Sequence, residues 1–119
     1  IEKIVYTSSA SVYGNALYLP FDSNSFDIVT MGSVLHEMHT SENVIKALYE
    51  VKRVLKPGGK FITVELVRNT KMFIFLLLFS FIWKPKEYWK KCIEKVELNA
   101  LNETLIKGPI DICFYVAQK

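Results

Sequence analysis

Residues 15–29, NALYLPFDSNSFDIV, decide the fold of this chain, together with residues 53–61, RVLKPGGKF. The first stretch contains an extended segment, a turn and a short apolar run. Pro20 keeps Leu19 out of the helical region, and residues 22–25 (DSNS) are all turn formers. Residues 26–31 (FDIVTM) are mostly apolar and are followed by Gly32. This pattern predicts a buried strand of a parallel sheet.

A helix and a second strand follow this first strand. Ser41 has the chemistry of an N-cap, and Glu42 is favourably placed in the first turn. Apolar residues then recur at helical spacing, with two more that widen the stripe: Val44, Ile45, Ala47, Leu48, Val51 and Leu55. Pro57 forbids continuation of the helix, and residues 61–66 (FITVEL) predict the next strand. The βαβ unit so formed predicts a parallel crossover.

The flanking segments give weaker signals. Residues 4–6 (IVY) favour a strand, residues 11–13 a second short strand, and residues 33–38 one helical turn. Pro85 is predicted to open a helix whose apolar face comprises Trp89, Cys92, Ile93 and Val96. Residues 98–106 and 110–117 predict two strands around the turn at residues 108–109.

Composition limits the classes of function. A chain of 119 residues supports one domain, and a net charge of +3 without a long basic run argues against nucleic acid as a partner. Cys92 and Cys113 lie too far apart for a metal motif, and two cysteines favour a reduced, cytoplasmic compartment. His36 and His39 are three residues apart, whereas zincin histidines are four apart, so no metal site is predicted.

Five motifs occur in a fixed order: residues 14–16 (GNA), 19–21 (LPF), 25–29 (SFDIV), 35–36 (LH) and 50–59 (EVKRVLKPGG). Their order and spacing resemble the second half of a class I S-adenosylmethionine-dependent methyltransferase of the small-molecule, ubiquinone/menaquinone-methyltransferase-like type. The resemblance is good over residues 12–66. It implies an α/β, partial Rossmann-like fold with a mostly parallel sheet, a C-terminal antiparallel edge hairpin and missing N-terminal strands. It would also make residues 1–6 the end of a helix.

The resemblance implies S-adenosyl-L-methionine as the cofactor, with Gly14, Asn15 and Ala16 in the turn that holds its adenine. Asn15 stands where the family usually has an acidic residue, so it can accept a hydrogen bond only without charge assistance. Ala16 would supply a backbone donor. The alternative is that Asn15 is a plain turn residue that tolerates left-handed geometry.

The resemblance also places Met31, Gly32 and Ser33 along the methionine end of the cofactor. Ligands of open α/β sheets bind at the carboxyl ends of strands, where these residues lie. The alternative is that Gly32 only lets the chain leave the strand. Residues 55–59 (LKPGG) end a helix rather than open one, so they are predicted to be structural and not a phosphate loop.

His36 is the one candidate catalytic residue. It is either a base near the transferred methyl group or a packing residue at the rim of the pocket. Methyl transfer from a sulfonium needs mainly an in-line approach of the acceptor, so no stronger catalytic residue is expected.

No Gly-x-Gly occurs in the sequence, and no strand followed by a ribose-binding acid precedes Gly14. The chain is therefore expected to be the carboxyl-terminal portion of a methyltransferase and to be inactive alone. The predicted function is methyl transfer to a small acceptor, exercised by the intact parent protein. The alternative is a non-catalytic docking or membrane-surface module built on half of the fold.

Residues 1–119 are interpreted as a single partial domain, with an apolar and basic insertion at residues 67–95. Residues 72–83 are apolar except for Ser80 and are too short to span a bilayer. Three interpretations are open: a core or lid helix, a wall of a pocket for a lipophilic acceptor, or a peripheral membrane contact through residues 72–89. In the third interpretation Trp83, Tyr88 and Trp89 lie at headgroup level and nearby lysines face anionic lipid.

Overall fold

The computed structural model describes residues 2–6, 11–67, 84–108 and 110–119. The predictions for the apolar segment 72–83, for the loop at residues 7–9 and for Pro109 lie outside the described residues. Six strands and two α-helices occur in the described ranges: β1 (Glu2–Tyr6), β2 (Ser11–Asn15), β3 (Phe26–Gly32), α1 (Ser41–Val54), β4 (Leu55–Val67), α2 (Lys86–Lys95), β5 (Asn99–Ile106) and β6 (Asp111–Gln118). A 3₁₀-helix, Leu35–Glu37, follows β3 and confirms the predicted helical turn.

Four strands form a mixed sheet in the order β3-β4-β6-β5. β3 and β4 are parallel, with Val29 opposite Phe61, as predicted for the βαβ unit. β6 lies antiparallel between β4 and β5, and β5 forms the outer edge. The α/β, Rossmann-like fold with a C-terminal antiparallel edge hairpin is therefore confirmed.

β1 and β2 form a separate two-stranded antiparallel sheet. The β-branched and aromatic residues at 4–6 favoured this strand, and the helix end that the family resemblance implied is not found there. β2 shares no backbone ladder with β3 in the described residues.

The hydrophobic core lies between the four-stranded sheet and the two helices. Side chains of β4 alternate between the core and the other face, as expected for a strand with period two. The predicted stripe of α1 is buried at Val44, Ala47, Leu48 and Val51. Leu55 is also buried, but it begins β4 instead of ending α1.

The N-terminus of α1 differs from the prediction by one residue. Thr40, not Ser41, is the N-cap, and its hydroxyl oxygen accepts a hydrogen bond from the backbone N–H of Asn43 at 3.2 Å. Ser41 is the first helical residue, and its hydroxyl pairs with that of Tyr88 at 2.9 Å. Both residues have cap chemistry, so the sequence alone does not separate them. Pro85 is the N-cap of α2, as predicted.

Residues 55–59 are the first residues of β4, which follows α1 without a connecting loop. Gly58 has φ +80°, which side chains other than Asn and Asp rarely adopt. Gly59 is buried, and a Cβ there would lie 2.8 Å from the carbonyl oxygen of Lys56 and 3.1 Å from that of Asp27. Glycine is thus needed at the two positions for different reasons: left-handed backbone at Gly58 and close backbone contacts at Gly59. Both reasons are structural.

These reasons predict different costs of substitution. Gly59→Ala should lower the free energy of unfolding by about 2 kcal/mol, because rigid backbone atoms occupy the space of the methyl group. Gly58→Asn should cost less than about 1 kcal/mol, because Asn tolerates left-handed backbone and the space is open. Urea denaturation measures both. Equal losses would contradict the close approach at Gly59.

Candidate functional site

The carboxyl end of β3 carries three of the predicted site residues. Met31 belongs to the buried core, whereas Gly32 is exposed, with no heavy atom within 4 Å of a Cβ placed on it. The left-handed residue is Ser33, with φ 53°, and its backbone N–H donates to the carbonyl oxygen of Val64 at 2.7 Å. The chain therefore leaves the strand through Ser33. Gly32 instead keeps an open space at the end of the sheet.

The other three predicted site residues lie at the end of β2. Gly14 and Asn15 are still in the strand, and Ala16 begins the turn. The side-chain oxygen of Asn15 accepts from the N–H of Leu17 at 2.9 Å, and its backbone oxygen accepts from the N–H of Tyr18 at 2.9 Å. Asn15 thus ends the strand and accepts from two N–H groups of the turn. The left-handed geometry of the simpler interpretation is not found at this residue. Its amide oxygen retains a second lone pair.

One apolar cluster connects the two segments. Ala16 and Leu17 are partly buried and pack against the core cluster that contains Met31. The structure therefore attaches the turn after β2 to the same core from which the end of β3 emerges.

Glu50 and Arg53 fasten the segment after this turn to α1. The carboxylate of Glu50 accepts from the N–H of Leu19 at 2.8 Å. The guanidinium of Arg53 donates to both oxygens of Glu50, at 2.7 and 2.8 Å, and to the carbonyl oxygens of Leu19 and Phe21, at 3.0 and 2.8 Å. We call these contacts the Glu50–Arg53 clasp. They join the LPF motif to the motif that ends α1.

The clasp is electrostatically favourable. The hydrogen bond from Arg53 lowers the pKa of Glu50 against the opposing effect of burial, and the Leu19 N–H lowers it further. The hydrogen bond to Glu50 in turn raises the pKa of Arg53. Sequence reasoning quoted both residues as motif positions without assigning them a role. Their separation by three residues on one helix was the available signal.

His36 is held by a buried glutamate that sequence reasoning missed. Glu65 of β4 is fully buried, and its Oε2 lies 3.1 Å from His36 Nδ1. Its Oε1 accepts from the N–H of Leu35 at 3.1 Å and from the hydroxyl of Thr63 at 3.3 Å. Burial raises the pKa of Glu65, and the hydrogen bonds from His36 and Leu35 oppose the rise. A carboxylate inside a mostly apolar predicted strand, residues 61–66, was the available signal for this residue.

A cavity of about 190 Å³ adjoins His36. Met38, Tyr88 and Trp89 give it apolar and aromatic walls, and the remaining described lining residues are His39, Ser41 and Lys84. Trp89 is only 1% exposed and packs in the core, as predicted for the apolar face of α2. It therefore does not take the headgroup position that the membrane-contact interpretation gave it.

Two further features can be stated for the described ranges. No group of three or more His, Cys, Asp or Glu side chains there is arranged to hold a metal ion. None of the helices in those ranges is long and apolar enough to cross a membrane.

The model of a methyltransferase domain family matches residues 3–63, which is half of the chain. A demethylmenaquinone methyltransferase of Symbiobacterium thermophilum is 38% identical over 84 residues, covering 71% of this chain and 30% of the relative. One of Staphylococcus epidermidis is 43% identical over 74 residues, covering 60% and 30%. The chain belongs to the class I S-adenosylmethionine-dependent methyltransferase family. It spans about a third of the length of these curated relatives.

Solved structures agree on the fold. A methyltransferase of Methanosarcina mazei superposes with a TM-score of 0.78 at 20% identity, covering 89% of this chain and 65% of that one. The cyclase SpnF superposes with a TM-score of 0.72 at 17% identity, covering 89% and 54%. Because a protein named as a cyclase shares the fold, these likenesses establish architecture and not chemistry.

The Glu50–Arg53 clasp predicts a large effect of Arg53→Ala. This variant should lose about 2 kcal/mol of unfolding free energy, because it removes hydrogen bonds to a carboxylate and to two backbone carbonyls. Lys56→Ala is the matched control. Its ion pair with Asp27, at 3.0 Å, is largely exposed and should be worth at most about 0.5 kcal/mol. Urea denaturation compares the two, and equal losses would contradict the clasp. Amide exchange at Leu19 should accelerate only in Arg53→Ala.

Proposed function

We propose that the protein to which this chain belongs transfers a methyl group from S-adenosylmethionine to a small, lipophilic acceptor. The main support for the proposal is that the motifs of the family occur here in their usual order. The turns that they form pack against one hydrophobic core. Relatives named as demethylmenaquinone methyltransferases support a lipophilic acceptor. The apolar walls of the cavity beside His36 are consistent with it.

The residues at the ends of β2 and β3 fit the cofactor by their chemistry. We infer that Asn15 accepts from the adenine amine through its second lone pair, beside Gly14 and a donating N–H of Ala16. The open space over Gly32 supports a second contact zone, with Met31 and Ser33 on either side, for the methionine part. The chain leaves β3 through the left-handed backbone of Ser33, so Gly32 is not needed for that purpose. This supports the assignment.

When bound, S-adenosylmethionine supplies a methyl group that its sulfonium already activates. The task of the protein is then to fix the acceptor in line with this methyl group and to exclude water. The Glu50–Arg53 clasp serves this task by holding the turn after β2. The walls formed by Met38, Tyr88 and Trp89 serve it by desolvating an apolar acceptor.

We further propose that this chain alone is inactive. The glycine-rich loop and ribose-binding acid that the family uses do not occur in its 119 residues. The turn after β2 presents a neutral amide, and the space beside Gly32 is open. Together they offer few charged contacts to a cationic ligand. Cofactor affinity should therefore depend on the remainder of the intact protein.

Isothermal titration with S-adenosylhomocysteine tests both statements. The intact protein should bind it, and this chain alone should show no measurable heat of binding. In the intact protein Asn15→Asp should strengthen binding about fivefold, because a carboxylate accepts the amine with charge assistance. Asn102→Asp makes the same change on exposed β5 and should leave affinity unaltered. Clear binding by this chain alone would refute the dependence of cofactor affinity on the rest of the protein, and no binding by the intact protein would refute the function.

A further inference from the structure

The contact between His36 and Glu65 involves more hydrogen bonds than side-chain packing alone would require. Three donor groups converge on the Glu65 carboxylate: the backbone N–H of Leu35, the hydroxyl of Thr63 and the ring of His36. A carboxylate that only accepts is satisfied by such an arrangement. The imidazole that it holds keeps 16% of its side-chain surface exposed and lines the cavity.

We propose that Glu65 positions His36 as the base that takes a proton from the methyl acceptor bound in this cavity. This inference rests on the function proposed above and extends it to a residue pair and to a property of the acceptor. The acceptor must carry a dissociable proton on the atom that is methylated, or on a group conjugated to it.

The geometry determines which ring nitrogen of His36 accepts the proton. Glu65 is paired with Nδ1, so in the neutral imidazole Nδ1 carries the proton and donates it to the carboxylate. The lone pair on Nε2 is then available. Glu65 occupies Nδ1, so Nε2 is the ring nitrogen left to accept a proton from a molecule in the cavity that His36 lines. A buried carboxylate and an imidazole with one free nitrogen are the orienting and accepting halves of a general base.

The charged and titratable groups around His36 come from three directions. Glu65 faces it from β4, Glu37 and His39 neighbour it on its own segment, and Lys84 and Tyr88 face it across the cavity. Glu65 is the group in direct ion-pair contact with the ring. The protonated imidazole that forms during the reaction is therefore stabilised mainly from the Nδ1 side.

One of the residues that line the cavity, Trp89, carries a buried hydrogen-bond donor. The indole Nε1 of Trp89 is buried and has no hydrogen-bond partner in the described part of the chain. Indole nitrogen only donates, so a buried one favours an oxygen or nitrogen acceptor nearby. A ligand that places such an atom near Trp89 and its acidic proton near Nε2 suits this cavity, whose walls are otherwise aromatic and apolar.

Methyl transfer with His36 as the base needs no further reagent. The acceptor loses one proton to Nε2, and the electron pair so released forms the new bond to the methyl carbon. The pair of the broken carbon–sulfur bond remains on the sulfur, which becomes neutral. His36 later releases the proton to solvent, through the exposed part of its ring.

Nitrogen-15 NMR of the histidine rings tests the positioning directly, without cofactor or substrate. At a pH where His36 is neutral, this chain should show it with Nδ1 protonated and Nε2 bare. His39→Asn assigns the two histidine signals. A ring protonated on Nε2 in the wild-type chain would overturn the proposal, whatever the variants do.

Variants separate positioning from mere packing. Glu65→Gln removes the carboxylate with little change of volume and should shift His36 toward the Nε2-protonated tautomer. Glu97→Gln makes the same change on an exposed side chain and should leave the tautomer unaltered. In the intact protein, His36→Asn should lower kcat about 10²-fold or more with little change in KM for the cofactor. The loss should shrink as the pH rises, because solvent base then replaces the imidazole.

The outcomes distinguish this inference from the proposed function. Unchanged kcat in His36→Asn, in an intact protein that binds the cofactor and methylates its acceptor, would overturn the base while the function stands. If the intact protein does not bind S-adenosylhomocysteine at all, the function itself fails. A tautomer unmoved by Glu65→Gln in a folded variant would overturn the role of Glu65 alone.

Discussion

The Glu50–Arg53 clasp is the interaction on which the arrangement of the proposed cofactor site depends. β2 and β3 share no ladder in the described residues, so no sheet hydrogen bond fixes the turn after β2 relative to the end of β3. The clasp replaces that ladder, because a single guanidinium binds a carboxylate of α1 and two carbonyls of the LPF segment. Arg suits this place because its planar fork can serve several oxygens at once, which a lysine ammonium cannot do in the same geometry. The LPF motif and the motif that ends α1 are therefore the two partners of one contact.

Periodicity and turn chemistry predicted most of the fold. The apolar stripe of α1 is a direct consequence of burying one face of the helix, and the sequence predicted it. In β4 the sequence predicted the strand but not its orientation, because the fully buried face carries polar Thr63 and Glu65. The N-cap was misplaced by one residue because Thr40 and Ser41 have equivalent chemistry, and only the tertiary contact of Ser41 with Tyr88 separates them. Residues 2–6 were ambiguous because local propensity and family resemblance disagreed, and propensity proved correct.

The site was less predictable than the fold. Asn15 and His36 were predicted from motifs and Gly32 from its place after a predicted strand, and neither signal shows the contacts of a residue. Glu65 was missed because its importance comes from a partner 29 residues away. It also shares a strand face with Thr63, so the alternation of the sequence does not indicate that this face is buried. Glu50 and Arg53 were quoted without a role for the same reason, since their main targets lie more than 30 residues earlier in the chain. Long-range polar contacts leave little local signature in a sequence.

The central claim is that the turn after β2 and the end of β3 belong to a single cofactor site, held together through α1. Backbone amide chemical shifts of the intact protein, followed during titration with S-adenosylhomocysteine, test it most directly. Amides of residues 14–16 and 31–33 should shift together and give one dissociation constant. Binding that shifts only one of these segments, or neither, would contradict the claim.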